Sequence, residues 1–249
     1  MAQNSGFTLW LTGMSGTGKS TLAAYISARL RQVGRPVEVL DEGDLSEELW
    51  RGIGDSKEER NVIVRRLGFV ANLLTRNGVA ALVPCVSPYK VSREENRRAI
   101  GRYLEVYVDC PTDKLIERDS TGKYKKALNG EIPNFIGITE PYEPPSSPEV
   151  TMRSDSESVE DGALRIFQAL LDLGYVNADE LKIITGKKMK AQPLAKNARR
   201  PAKAAPAPAP AKAPAKAAAS PKGTKARPAS RAARVSKPAK KTAVKRKAR

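Results

Sequence analysis

The 249-residue chain predicts a three-layer α/β fold, a central parallel sheet between helices, followed by a disordered basic C-terminal tail. Three observations carry this. Apolar runs of strand length alternate with amphipathic stretches of helix length, a pattern that implies parallel strands joined by right-handed crossovers. A glycine-rich stretch, GMSGTGKST at residues 13–21, stands between the first strand and the first helix. The charge is also unevenly placed: of 44 Lys/Arg and 27 Asp/Glu, 21 cations and no acid fall in residues 187–249. Residues 1–186 therefore hold 23 cations against 27 anions, a net of −4 inside a chain of net +17.

The elements follow in order. Residues 7–11, FTLWL, read as a buried strand, and residues 20–33 as a helix with Leu22, Ile26 and Leu30 on one face. Between them the pattern G-x-x-x-x-G-K-[ST] is filled by Gly13, Gly18, Lys19 and Ser20. Strand, loop and helix form a nest of backbone N–H groups backed by the positive end of a helix dipole. Residues Gly13, Ser15, Gly16, Thr17, Gly18, Lys19, Ser20 and Thr21 are thus expected to cradle ATP. Lys19 would reach the β- and γ-phosphates and Ser20 would ligate Mg²⁺. The fold is then that of the P-loop NTPases.

Residues 37–40 make a short strand ending at Asp41, followed by an acidic stretch. A helix over residues 57–76 carries Ile63, Leu67, Val70, Leu73 and Leu74 on one face and stops at Asn77-Gly78. The continuous apolar run 79–83 reads as a strand buried on both faces, with a loop at 84–89 beyond its end. A helix at 92–100, a strand at 104–108 and a helix at 112–118 come next. Residues 119–149 are rich in Gly, Pro and Lys and poor in apolar residues, as in a long functional loop, with one helical turn at 124–128. A last strand at 150–152, a helix at 158–173 and a small helix at 179–184 complete the folded part. This makes residues 1–186 one domain and 187–249 a tail whose Lys/Ala/Pro composition cannot bury enough surface to order itself.

Composition narrows the chemistry. The chain has no histidine and two cysteines, Cys85 and Cys110, so imidazole catalysis, His–metal sites and a disulfide framework are excluded. No apolar run approaches the ~20 residues of a membrane span, and no signal-peptide pattern opens the chain; a cytoplasmic location without membrane contact is expected. The absence of an N-K-x-D motif argues against a GTPase. A kinase needs an acid near the acceptor hydroxyl, cations for the acceptor and a cover against water. Asp41 and Asp44 at a strand end, the cations Arg51, Arg60, Arg65 and Arg66, and the segment 119–149 supply them. Either aspartate serves as base or orients metal-bound water. Ser87 follows a buried strand, where α/β ligands bind.

The segment RDSTGKYKKALNGEIPNFIGITEPYEPPSSPE, residues 118–149, resembles the lid of the adenylyl-sulfate kinase family. Arg118, Asp119, Gly122, Tyr124, Lys126, Ala127, Gly130, Glu131, Ile132, Phe135, Gly137, Ile138 and Pro141-Tyr142-Glu143 all fall in the family pattern. RRLGFVANLL, VSPYK and EVYVDCP resemble it too, so the likeness runs from about Gly6 to Tyr175. It implies transfer of the ATP γ-phosphoryl group to the ribose 3′-hydroxyl of adenylyl sulfate (APS), giving PAPS. It also implies roles at matching positions. Ser87, with Pro88 and Tyr89, would lie beside the transferred phosphate and accept phosphorylation. Arg60 would bind the sulfonucleotide together with Asp41. Phe135, with Ile138, would stack on the APS adenine, Lys126 would close over the phosphates, and Arg118 would cover the ATP adenine. The family often dimerises.

The acceptor side departs from the pattern. The family's Leu-Asp-Gly-Asp-x-x-Arg is LDEGDLSE here, with Glu42 inserted and Glu47 where arginine is expected; Arg51 is the nearest replacement. Ile63 stands for the family's asparagine. The donor side is intact, so a kinase of this fold acting on another nucleotide or sugar is the second reading. A nucleic-acid-associated factor with a degenerate kinase domain is the third. The tail's unopposed cations suit nonspecific contact with nucleic acid or another polyanion, and it carries no aromatic residue for base stacking.

Overall fold

The structure, a computed structural model, describes residues 5–45 and 50–186. The tail 187–249 and Glu47 lie outside the described residues.

Five parallel strands form one sheet in the order β2-β3-β1-β4-β5. They are β1 (Phe7–Thr12), β2 (Val37–Val39), β3 (Ala80–Pro84), β4 (Tyr103–Asp109) and β5 (Val150–Arg153). The helices are α1 (Lys19–Gln32), α2 (Lys57–Arg76), α3 (Lys90–Ile100), α4 (Thr112–Arg118), α5 (Lys123–Leu128), α6 (Val159–Asp172) and α7 (Ala178–Thr185). In β1, fully buried along its length, alternate side chains enter opposite layers. Phe7, Leu9 and Leu11 pack with Leu22, Ile26, Phe167 and Leu170 of α1 and α6. Trp10 packs with Val64, Leu67 and Ala71 of α2 and with Val83 and Tyr103. Thr8 spends its hydroxyl on Thr75 of α2, 2.8 Å away. A strand apolar on both faces is what a sheet covered on both sides requires.

Helix boundaries follow local chemistry. Ser56 and Glu59 form a capping box at the start of α2, and Asn177 and Glu180 form one at α7, each satisfying two otherwise unpaired N–H groups. Gly68 lets α2 and α3 close: a Cβ there would stand 2.0 Å from the Asn96 amide, which itself donates to the Val64 carbonyl at 2.9 Å. Both cysteines are buried and free, as small core residues. No helix among the described residues is long and apolar enough to cross a membrane.

Parallel strands all point one way, so the loops after β1, β2, β3 and β4 emerge at a single edge. The glycine loop, residues 40–45, residues 85–89 and the segment 119–149 meet there.

Candidate active site

The glycine loop leaves β1 at Gly13, whose φ of +151° and whose Cβ position, 2.3 Å from the Val108 carbonyl, admit no side chain. Gly16 and Gly18 have φ of +79° and +90°, a region open to glycine at no steric cost. Thr17 is buried and donates to the Met14 carbonyl at 3.0 Å. Ser15 is half-buried; Ser20 and Thr21, in the first turn of α1, are exposed.

Lys19 is 8% exposed. Its ammonium donates to the carbonyls of Gly13 and Met14, at 2.9 and 2.7 Å, and so spans the loop it belongs to. Burial lowers its pKa from 10.5 to about 8, against the opposing pull of Glu42, Cys85 and Asp41. A polyphosphate brought beside it favours the charged form and raises that value. Binding of Mg·ATP is therefore expected to take up a proton between pH 8 and 9, and none near pH 6. Calorimetry in buffers of different ionisation enthalpy reads this directly; proton release at pH 8–9 would contradict it.

Asp41 and Asp44 share an open cleft with Ser20 and Arg31 along α1. The Asp41 carboxylate accepts from the Gly43 N–H at 2.9 Å in a local turn. The acid that reaches inward is Glu42, the residue that interrupts the family pattern. Its carboxylate accepts from the Val86 N–H at 2.8 Å, tying the loop after β2 to the loop after β3. The structure thus groups Asp41 and Asp44 with Ser20 instead of with Arg60. Three oxygen donors around one open cleft suit Mg²⁺, which takes few protein oxygens and keeps waters and phosphates.

The resemblance implies a Ser87 hydroxyl beside the transferred phosphate; the structure brings that hydroxyl to the side chains of Trp10 and Thr12. Ser87 is fully buried, at φ +37°. Its hydroxyl accepts from the Trp10 indole N–H at 3.0 Å and donates to Thr12 Oγ1 at 2.9 Å. Pro88 and Tyr89 are buried as well. The physical reason is the short polar rung of β1: Trp10 and Thr12 need partners, and Ser87 supplies them. What faces the cleft from this loop is Val86.

That second cleft is bounded by Ser15 of the glycine loop, Asp55, Arg60, Val86, Asn134 and Phe135. Arg60 donates to the carbonyls of Asp55 and Asn134, at 2.8 and 2.7 Å, which draws the lid tip onto α2. Phe135 meets Tyr124 edge-on at 4.9 Å, and with Ile138 and Met14 it packs on the cluster of Cys110, Leu115 and Tyr124. Tyr124 in turn donates to the Ser15 carbonyl at 2.7 Å. The segment 119–149 therefore closes directly on the phosphate loop. Arg118 is bonded to the Ser154 carbonyl at 3.0 Å, beside the ends of β4 and β5. Lys126 is exposed on α5, and Arg51 is exposed and is not among the residues that line this cleft.

Sequence reasoning missed the anchor beneath the lid. Arg93, 2% exposed, donates to Glu105 at 3.1 Å, to the Ser87 carbonyl, and to the Glu143 carbonyl at 2.6 Å. Arg97 joins Glu105 to Glu149. The signal available was an arginine four residues after Tyr89 and another four later, the helical spacing that puts both on one face.

Residues 5–153 match the adenylylsulphate kinase family. The adenylyl-sulfate kinase of Rippkaea orientalis is 48% identical over 174 residues, covering 70% of this chain and 96% of that protein. An APS kinase of Mycobacterium tuberculosis, solved in complex with AMPPNP and APS, superposes with a TM-score of 0.63 at 35% identity, covering 67% of this chain and 98% of that one. A hexameric APS kinase from Thiobacillus denitrificans gives a TM-score of 0.53 at 30% identity, over 70% of this chain and 30% of that one.

Proposed function

The chain belongs to the adenylylsulphate kinase family, and from that premise we propose how its residues move the γ-phosphoryl group of ATP to the 3′-hydroxyl of adenylyl sulfate. The carrying observation is the cleft in which Ser15 of the phosphate loop, Arg60 and the lid residue Phe135 share one wall. The triphosphate lies along residues 13–21, its charge met by loop amides, the α1 dipole and Lys19. Ser20, with Asp41 and Asp44 across the same cleft, would hold Mg²⁺, whose charge neutralises phosphate oxygens. Arg60 pairs with the acceptor's anionic group and Phe135 offers its ring to the base. With water excluded by the lid, the 3′-oxygen attacks the γ-phosphorus in line. The new O–P bond forms, the bond to the β-phosphate oxygen breaks, and ADP leaves. The hydroxyl proton passes to a neighbouring carboxylate. Positioning and charge neutralisation dominate such a step. A compartment that supplies ATP, the cytoplasm, is part of this reading.

Coupled ADP-release assays with a panel of acceptors test it. Strong stimulation by APS is expected. No stimulation by APS, or stronger stimulation by another nucleotide or a sugar, favours the second reading raised by the altered loop at Glu42.

Two wider features complete the proposal. Residues 1–186 act as the kinase unit, with 187–249 as an accessory tail whose 21 cations bind polyanions by counterion release. Duplex DNA should bind the full chain, more weakly as salt rises, and deleting 187–249 should abolish binding while sparing turnover. Self-association as a homodimer is also part of it. Val62, Phe69 and Leu73 form an exposed apolar stripe on α2, Phe69 being 64% exposed, which a second copy would cover. Light scattering that returns a monomer for wild type would remove that element.

A further inference from the structure

We propose that Tyr142 is a positioning residue: one hydroxyl ties the returning arm of the lid to Thr12, the residue before the phosphate loop, and so sets where the closed lid stands over the triphosphate. The inference rests on the kinase reading above.

The hydrogen bonds around Thr12 form one buried chain from Trp10 to Tyr142. The Trp10 indole can only donate, and it donates to Ser87 Oγ at 3.0 Å. Ser87 passes its own hydrogen to Thr12 Oγ1 at 2.9 Å. Thr12 spends its hydrogen on the Val86 carbonyl, 2.9 Å away, which can only accept. The Tyr142 hydroxyl closes the chain, 2.8 Å from Thr12 Oγ1. Burial raises the Tyr142 phenol above its ordinary value, with Arg93 and the Thr12 bond acting the other way, so its proton is retained at neutral pH. Chains of this kind polarise one another and hold a single geometry.

The ring is held as closely as the hydroxyl. It stacks on Tyr107 with centroids 5.9 Å apart and planes 11° from parallel. The Arg93 guanidinium stands 5.7 Å from its centroid. Next along the chain, the Glu143 N–H donates to the Pro88 carbonyl at 2.8 Å. The Glu143 carboxylate accepts from the Lys90 N–H at 2.9 Å. The arm is thus fixed to the loop after β3 through Glu143, and to the end of β1 through the Tyr142 hydroxyl. That hydroxyl is the direct polar link from this arm to the strand that launches the glycine loop.

Tyr142→Phe removes this link alone. The ring stays, and Thr12 keeps its bonds to Ser87 and Val86, so no buried donor is orphaned. The test measures transfer to APS, acceptor-independent ATP hydrolysis and thermal midpoint for wild type, Tyr142→Phe and Tyr142→Leu. For Tyr142→Phe, kcat for transfer should fall roughly threefold to tenfold, the value of one hydrogen bond realised at the transition state. KM for ATP should move less than about twofold, and hydrolysis should rise relative to transfer because water is excluded less well. The midpoint should stay within about 2 °C. Tyr142→Leu, which also loses the ring, should lower the midpoint. Unchanged kcat and hydrolysis ratio in folded Tyr142→Phe would overturn the assignment. So would a fall in kcat that vanishes when the assay is cooled in step with the midpoint. Wild-type turnover in the same assay reports separately on the kinase reading.

Discussion

Lys19→Ala is expected to lower phosphoryl transfer by roughly 10²–10³-fold, the usual cost of one preorganised charge contact at a transition state. The geometry explains both the size and the character of the loss. The ammonium sits at the mouth of the loop, bonded to Gly13 and Met14 carbonyls and shielded from solvent, where a charge acts at low dielectric and strongly. The side chain is also a strut across its own loop, so alanine loosens the amides that hold the anion. Mg·ATP affinity should therefore fall along with kcat. Steady-state kinetics and calorimetry on the purified variant provide the check. Near-normal turnover would contradict the phosphate-clamp role and with it the proposed mechanism.

Arg93→Ala is expected to cost about 3–5 kcal/mol of stability, the range for removing one partner of a buried ion pair. The lower end is favoured, because Glu105 keeps Arg97 at 3.1 Å. The guanidinium it loses serves three acceptors on three segments: Glu105 on β4, Ser87 beyond β3 and Glu143 at the end of the lid. At about 2–4 °C per kcal/mol for a domain of this size, the thermal midpoint should drop by roughly 10 °C. The control is Arg65→Ala. Arg65 meets Glu95 at 2.6 Å, but both side chains are more than a third exposed, at 48% and 40%, and such pairs contribute under about 1 kcal/mol. Equal melting shifts for the two variants would show that the buried network under the lid holds nothing together.

Most of the fold was legible in the chain. The helical spacing of Ile63, Leu67, Val70 and Leu74, with Asn77-Gly78 as a stop, places α2 at its observed bounds. The glycine loop is legible because its chemistry is local. Backbone amides, three glycines and a following helix suffice, whatever surrounds them. The lid was legible as a segment poor in apolar residues between two elements that could pack. The partners of Ser87 and Glu42 were not, because each depends on what another strand brings within 3 Å or so. An isolated Ser-Pro-Tyr reads equally well as a turn facing substrate or as a plug facing the core. The decision fell to Trp10 and Thr12, 77 and 75 residues away along the chain.

Taken alone, the sequence determined that this chain builds a parallel sheet, turns through a glycine loop at residues 13–21 and carries a long segment poor in apolar residues at 119–149. Those properties arise from periodicity, backbone freedom and composition, which are encoded within a few turns of chain. Only the tertiary structure decided that Glu42 reaches the Val86 amide, that Ser87 is an anchor, and that Arg93 and Tyr142 bind the lid to the sheet. Buried donors and acceptors must find partners across the fold, and which ones they find is settled when distant strands align, not by the order of residues along any one of them.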